Sequence, residues 1–135
     1  MNILEPEGIL DIDLIQNSFM PGEMVKGTVK LVLKKPVNAR RFMVSLIGEE
    51  WVDVSCGSGK TRQAKKEETN IHSEVIQLSG EGLIDFVEKN FEFKIPENAP
   101  PTIKGEEAGL RWLVHAKLDV PMGRDKNERV EVFVD

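Results

Sequence analysis

Alternation of apolar and polar residues is the feature of this sequence that most constrains its fold. In the segment MVKGTVKLVL, residues 24–33, valines and leucines alternate with lysines, glycine and threonine. The same period recurs in RFMVSLIGE, NFEFKI, LRWLVHAKLDV and RVEVFV, which begin at residues 41, 90, 110 and 129. Successive side chains of a strand point to opposite faces, so this period predicts strands with one buried face and one face in water.

Proline and glycine separate these runs and predict turns, because they set the backbone angles that tight connections need. The predicted turns are Pro21-Gly22, Pro36, PENAPP at residues 96–101, and Pro121. Only GLIDFVEKN, residues 82–90, has helical spacing, and it predicts a helix of two turns at most. Seven or eight antiparallel strands without a long helix predict an all-β, antiparallel, immunoglobulin-like β-sandwich.

The composition narrows the class of protein. A chain of 135 residues fits one domain, residues 1–135. Its net charge of -5 disfavours binding to nucleic acid or to anionic lipid. Cys56 is the only cysteine, so no intrachain disulfide can form and a cytoplasmic location is predicted. No apolar run approaches the roughly 18 residues of a membrane span, and the acidic start does not resemble a signal peptide.

The stretch CGSGKT, residues 56–61, spells the end of a phosphate-binding loop. That motif needs a glycine where this chain has Val54, and a helix directly after the lysine. The polar segment TRQAKKEETN that follows has no apolar face for a helix to bury. We therefore interpret the stretch as a glycine-rich connection between two strands.

Catalytic and metal-binding motifs are not found in the sequence. The only histidines, His72 and His115, have no nucleophile elbow near them, and nothing obvious lowers the pKa of the Cys56 thiol. One cysteine and two distant histidines cannot close a structural zinc site. His115 falls on the polar phase of its strand, which predicts a solvated side chain. The sequence therefore predicts no enzyme, no cofactor and no metal.

Two acidic residues and one tryptophan are candidate partner contacts. Asp11 and Asp13 project from one strand face, where they could share a cation, do acid–base work, or be the wet side of an edge strand that discourages aggregation. Trp112 lies on the apolar phase of its strand and is predicted to be core. Trp51 follows LIGEE and is predicted to be either core or contact.

A basic segment forms the third candidate contact. We predict a solvated, mobile loop from residue 60 to residue 66, whose cations are answered by Glu67 and Glu68. Without interleaved aromatic residues it does not look like a nucleic-acid surface, and its functional alternative is an acidic or phosphorylated partner. The candidate residues are Lys60, Arg62, Lys65 and Lys66.

Three motifs in order resemble the arrestin N-terminal domain. The segment SFMPGEMVKGTVKLVLKKPVNARRFMVSLIGEEWV has a P-G-E turn, a V-x-G-x-V strand and a strand ending in L-x-G. NFEFKIPENAPPTI looks like the F-x-F-x-I-P-x-x-x-P-P segment of that domain, and GLRWLVHAKLDVP is similar to the strand after it. The resemblance covers nearly the whole chain, and it extends to microbial single-domain relatives of the arrestin family.

This resemblance implies an arrestin-type sandwich and a non-enzymatic adaptor or scaffold that binds protein partners through loops and edge strands. Cytoplasmic tails of membrane proteins are among the partners it implies, and self-association could replace the family's second sandwich. Receptor arrestins read phosphates with lysines near their first strand, where this chain has Asp11 and Asp13, so phosphate sensing does not carry over. The alternative is a carrier of a small lipid or metabolite in the inter-sheet cavity.

Overall fold

A computed structural model describes residues 5–56 and 63–135. Within these residues the chain forms nine strands. They are β1 (Gly8–Leu14), β2 (Ser18–Phe19), β3 (Met24–Ala39), β4 (Arg41–Cys56), β5 (Gln63–Ser79), β6 (Gly82–Lys94), β7 (Ile103–Lys104), β8 (Ala108–Asp119) and β9 (Lys126–Val134). No helix occurs among the residues described, and the predicted all-β sandwich is confirmed.

The strands form two sheets that pack face to face. One has three strands in the order β1-β3-β6, and the other has the order β2-β9-β8-β4-β5, with β7 also pairing with β8. Almost every pair is antiparallel, but β2 runs parallel to β9, with Ser18 opposite Phe133. The prediction of a purely antiparallel sandwich is therefore corrected at this one short strand. A strand of two residues is too short to show the alternation of apolar and polar residues, so the sequence could not predict it.

The core lies between the two sheets, where the inward side chains of each strand meet. The alternation predicted these positions, and Trp112 is confirmed as core with 1% of its surface exposed. Each fully buried large side chain contributes about 1.5–3 kcal/mol of transfer free energy. The largest fully buried side chains are Trp112, Phe19, Phe42, Phe93, Leu31, Leu46, Ile95, Leu118, Val25, Val29, Val44 and Val114.

The predicted helix over residues 82–90 is wrong, because this segment belongs to β6. The register between β3 and β6 shifts between Val32 and Val37, so Ile84 and Val87 both point inward although they are three residues apart. The helical spacing of Leu83, Phe86 and Val87 therefore occurs on a strand beside a bulge, with Leu83 and Phe86 exposed and Val87 partly buried. Pro36 lies inside β3 at the same irregularity, so the turn predicted there is wrong as well.

Gly48 lets the Trp112 ring lie directly over the backbone of β4. It is opposite His72 on β5 and opposite Trp112 on β8. A Cβ atom added at Gly48 would lie 2.9 Å from two carbons of the Trp112 ring. The ring centroids of His72 and Trp112 are 5.7 Å apart, so the two aromatic rings meet across a residue that has no side chain.

Candidate partner-binding surfaces

β1 is an edge strand, since among the described residues it pairs with β3 alone, in a sheet of order β1-β3-β6. Ile15 donates its backbone N–H to Lys26 O at 3.1 Å, and Lys34 donates to Glu7 O at 3.0 Å. Antiparallel partners exchange hydrogen bonds at every second residue. The backbone N–H and C=O groups of the odd-numbered residues of β1 therefore point toward β3. The backbone groups of Leu10 and Ile12 therefore point to the open side, where an added strand could bond to them.

Asp11 and Asp13 line this edge. Both side chains are exposed on the outward face of the three-stranded sheet. Asp11 is opposite Lys30 and Asp13 is opposite Thr28. The two carboxylates therefore share a face at a sheet edge, and they face a strand that carries a cation in register.

Trp51 belongs to a charged cluster on the outward face of the larger sheet. The Arg111 guanidinium bonds the carboxylate of Glu49, which is only 5% exposed, and donates to Glu68 Oε1 at 3.0 Å. Its central carbon lies 5.9 Å from the centroid of the Trp51 ring. Burial opposes the charge of Arg111, but the two carboxylates raise its pKa above the ordinary value. The buried charge of Glu49 is thus paired, as a buried charge must be.

A cleft of about 380 Å³ adjoins this cluster, and Trp51 forms part of its wall. Lys104 and Glu131 also line it and form an ion pair at 3.5 Å. Arg129 lies on the same lining. Trp51 is half-buried, so its ring is neither core nor fully free, and it offers a flat apolar surface beside cations.

The predicted basic loop is only partly described. Lys60 and Arg62 lie outside the described residues, and so does the side chain of Lys65. The prediction of a loop is wrong from residue 63 onward, because β5 begins at Gln63. Lys66 is exposed and forms an ion pair with Asp53 at 3.7 Å. Cross-strand register brings Asp53 opposite Lys66, whereas adjacent residues point to opposite faces.

β5 also bears on the stretch CGSGKT, residues 56–61, which is similar to the end of a phosphate-binding loop. The residues from 63 onward form a strand, so no helix begins there to receive a phosphate. Residues 57–61 of the motif lie outside the described part of the chain. The side chain of Cys56 also lies outside the described part, so the structure does not test the reactivity of its thiol.

His115 is half-buried, not solvated as predicted. Its Nε2 lies 2.8 Å from Asn127 Oδ1. Burial lowers the pKa of His115, the bond to Asn127 opposes this, and the nearby charges of Arg129 and Lys117 lower it further. The difference arises because β9 pairs with β8, so that the Arg129 and Asn127 side chains of β9 flank the imidazole. Within residues 5–56 and 63–135, no group of three or more metal-ligating side chains is present.

A second cavity, of about 550 Å³, lies at the end of the three-stranded sheet. Asp13, Lys26, Thr28, Asn90 and Glu92 are among its lining residues, and the Thr28 hydroxyl donates to Asn90 Oδ1 at 2.8 Å. These polar side chains belong to the outward face. This space is therefore different from the inter-sheet cavity that the carrier alternative requires.

Comparison with known proteins supports the fold and leaves the family open. No family model matches the chain, and no curated protein matches it. The structure is similar to that of Spo0M, a sporulation control protein from Bacillus subtilis, with a TM-score of 0.66 and 23% sequence identity. The match covers 95% of this chain and 49% of Spo0M, so the chain spans about half the length of that relative.

At this identity the similarity shows the fold alone. Spo0M has an arrestin-like fold, so the arrestin-type β-sandwich expected from the sequence is confirmed as an architecture. Membership of the arrestin family stays a resemblance. No helix among the described residues is long and apolar enough to cross a membrane.

Proposed function

We propose that this protein is a non-enzymatic adaptor or scaffold that binds an extended segment of a partner protein along the open edge of β1. The observation that carries the proposal is the edge itself, where free backbone groups alternate with the outward carboxylates of Asp11 and Asp13. Strand addition uses the backbone for affinity and alternate side chains for specificity. Both elements are present on this edge.

The charges on β1 suggest the chemistry of the partner. On its paired side, β1 already accepts a strand that places Lys30 opposite Asp11. A partner strand on the open side would place its own cations opposite Asp11 and Asp13, two residues apart. The expected partner is therefore an extended segment with lysine or arginine at alternate positions, such as a basic cytoplasmic tail of a membrane protein. Opposite charges across a strand pair contribute about 0.2–1 kcal/mol each.

The remaining candidate residues are proposed as secondary contacts. Trp51 offers an apolar wall beside Lys104 and Arg129. Lys66 is exposed at the far end of the hairpin formed by β4 and β5. Together with Lys60, Arg62 and Lys65, these residues would hold an acidic part of a partner. A cytoplasmic location follows from this function and from the single cysteine.

The test is a binding titration with labelled extended peptides whose alternate positions are all lysine or all glutamate. The lysine peptides are expected to bind, and Asp11→Lys/Asp13→Lys is expected to weaken them by at least about tenfold, or 1.4 kcal/mol. The matched control is Glu106→Lys/Glu107→Lys, which changes the net charge equally at exposed residues away from β1. An equal loss in both variants would show general electrostatic attraction and contradict edge binding.

A small-ligand carrier is the second candidate. Its ligand would bind in the outward-facing cavity of about 550 Å³ at the end of the three-stranded sheet, not in an inter-sheet cavity. That volume falls within the range of small-molecule pockets. A carrier gains stability when its ligand binds the folded state, so a lipid or metabolite mixture would raise the melting temperature. If peptides fail to bind and such a mixture stabilises the protein, the carrier replaces the adaptor.

A further inference from the structure

An apolar row crosses the outward face of the three-stranded sheet. Ile9 on β1, Val32 on β3 and Phe86 on β6 are directly opposite one another. Their exposed fractions are 57%, 36% and 55%. Leu83, 77% exposed, lies farther along β6 on the same face. Four of the eleven exposed large apolar side chains of the described residues are thus gathered at one end of this sheet, and such clusters mark interaction surfaces.

The charges beside this row alternate from strand to strand. In the next row, Lys30 of β3 lies between Asp11 of β1 and Glu88 of β6. The Lys30 and Glu88 side chains have no ion-pair partner within the described residues. A face on which a cationic strand lies next to an anionic strand is complementary to a second copy of itself. When the second copy is shifted sideways by one strand, its cationic strand lies over the anionic strand of the first copy.

We propose that this face is a docking surface for a second copy of this chain. In the arrangement, a two-fold axis runs parallel to the strands and midway between β3 and β6. It places Val32 of each copy over Phe86 of the second copy. It also places Lys30 of each copy over Glu88 of the second copy, so that two apolar contacts and two ion pairs form.

Two other two-fold arrangements of this face are less favourable. An axis along β3 itself would place Lys30 over Lys30 of the second copy and Asp11 over Glu88. An axis along the apolar row would place Lys30 over Lys34. Like charges across an interface oppose association, so an axis midway between two strands is preferred. The axis between β3 and β6 covers Phe86, whereas the axis between β1 and β3 would cover the smaller Ile9. The axis between β3 and β6 also leaves the open edge of β1 uncovered, so the dimer and the proposed peptide site are independent.

The size of the face sets the strength of the contact. The two overlapping strands, β3 and β6, are about 4.8 Å apart and run for about nine residues, from Met24 to Val32 on β3, at about 3.4 Å each, so they cover roughly 290 Å² per copy. Stable interfaces bury about 800 Å² per partner. We therefore expect a weak, reversible dimer with a dissociation constant on the order of 10⁻⁴ M.

The first test is sedimentation equilibrium over about 10 µM to 1 mM, around that dissociation constant. The unchanged protein is expected to pass from monomer to dimer, and Phe86→Glu is expected to remain monomeric. Val75→Glu is the matched control, since Val75 on β5 is exposed to 54% and lies on the other sheet. A protein that stays monomeric throughout, or one in which both variants lose the dimer equally, overturns the proposal.

Charge exchange tests the arrangement. Lys30→Glu is expected to raise the dissociation constant by about tenfold, because it places like charges together. Lys30→Glu/Glu88→Lys is expected to restore it, since the pair is merely reversed. Failure of the double variant to restore the dimer overturns the strand-over-strand arrangement. Circular dichroism on each variant confirms that the fold is kept.

A crosslinking experiment does not depend on any loss of association. In a Cys56→Ser background, Val32→Cys protein is mixed with Phe86→Cys protein and oxidised with copper phenanthroline. A disulfide between the two proteins is expected, as these positions face each other across the proposed axis. Val75→Cys replaces Val32→Cys in the control mixture. Equal crosslinking in both mixtures contradicts the proposed interface.

Discussion

Replacing Gly48 with alanine tests the close packing of the Trp112 ring on the backbone of β4. The added Cβ would lie 2.9 Å from two carbons of the Trp112 ring and 3.1 Å from a third. The ring cannot easily withdraw, because Trp112 is 1% exposed and its Nε1 donates to the Pro100 carbonyl at 3.0 Å. Overpacking of this kind costs about 1–3 kcal/mol.

The expected net effect is smaller than the clash itself. Alanine lowers the entropy of the unfolded chain relative to glycine, which returns about 0.4–1 kcal/mol. Gly48→Ala should therefore lower the free energy of unfolding by about 1.5 kcal/mol. With an unfolding entropy of about 2.1 cal/mol/K per residue, this corresponds to a fall of about 5 °C in Tm. Urea denaturation and scanning calorimetry measure the two quantities.

Two controls separate the clash from a general effect of alanine. At Gly80 the nearest heavy atom to an added Cβ is the Gln77 side-chain nitrogen at 3.5 Å, an ordinary contact. Gly80→Ala should be neutral or slightly stabilising. In a Trp112→Phe background, where the ring is smaller, Gly48→Ala should cost less than in the unchanged protein. Gly48→Ala protein as stable as the parent would refute the reasoning.

Further predictions concern the buried charge and the half-buried histidine. Glu49→Gln should lower the free energy of unfolding by about 2 kcal/mol in urea denaturation, less than for a fully buried pair, since the Arg111 side chain is 30% exposed. Glu68→Gln should cost less than about 1 kcal/mol because that pair is exposed. The lowered pKa of His115 means that the unfolded state takes up the proton first, so stability should fall as pH drops through about 6.5. His115→Gln should flatten this dependence between pH 5 and pH 7, and an unchanged slope would contradict the assignment.

The sequence predicted where the core lies more accurately than where strands end. Inward positions such as Val44, Leu46 and Trp112 follow directly from the period of two, because a sheet that is wet on one face must alternate. The segment 82–90 was predicted to be a helix, but it is part of strand β6. Its spacing coincides with a bulge in β3, where residues 33–36 lie opposite the single residue Asp85 of β6. A bulge is a relation between two strands that neither strand shows alone.

The candidate surfaces divide in the same way. The shared face of Asp11 and Asp13 follows from strand geometry, but the open edge beside them depends on which strands pair. The partners of Trp51 were missed, since Arg111 is distant in sequence and meets it only across two paired strands. For Lys30 and Glu88, the only signal in the sequence was that two predicted strands carry opposite charges on their polar faces. That signal does not show that the two strands are neighbours.

By itself, the sequence determined the class of secondary structure, the inward positions of the core and the lack of any recognisable catalytic motif. These are local properties, because period, turn residues and composition act within a few residues along the chain. The tertiary structure alone decided the strand order, the burial of His115 and the gathering of Ile9, Val32 and Phe86 into one row. Such features depend on register between strands far apart in sequence, and many pairings share one hydrophobic pattern until the whole sandwich packs.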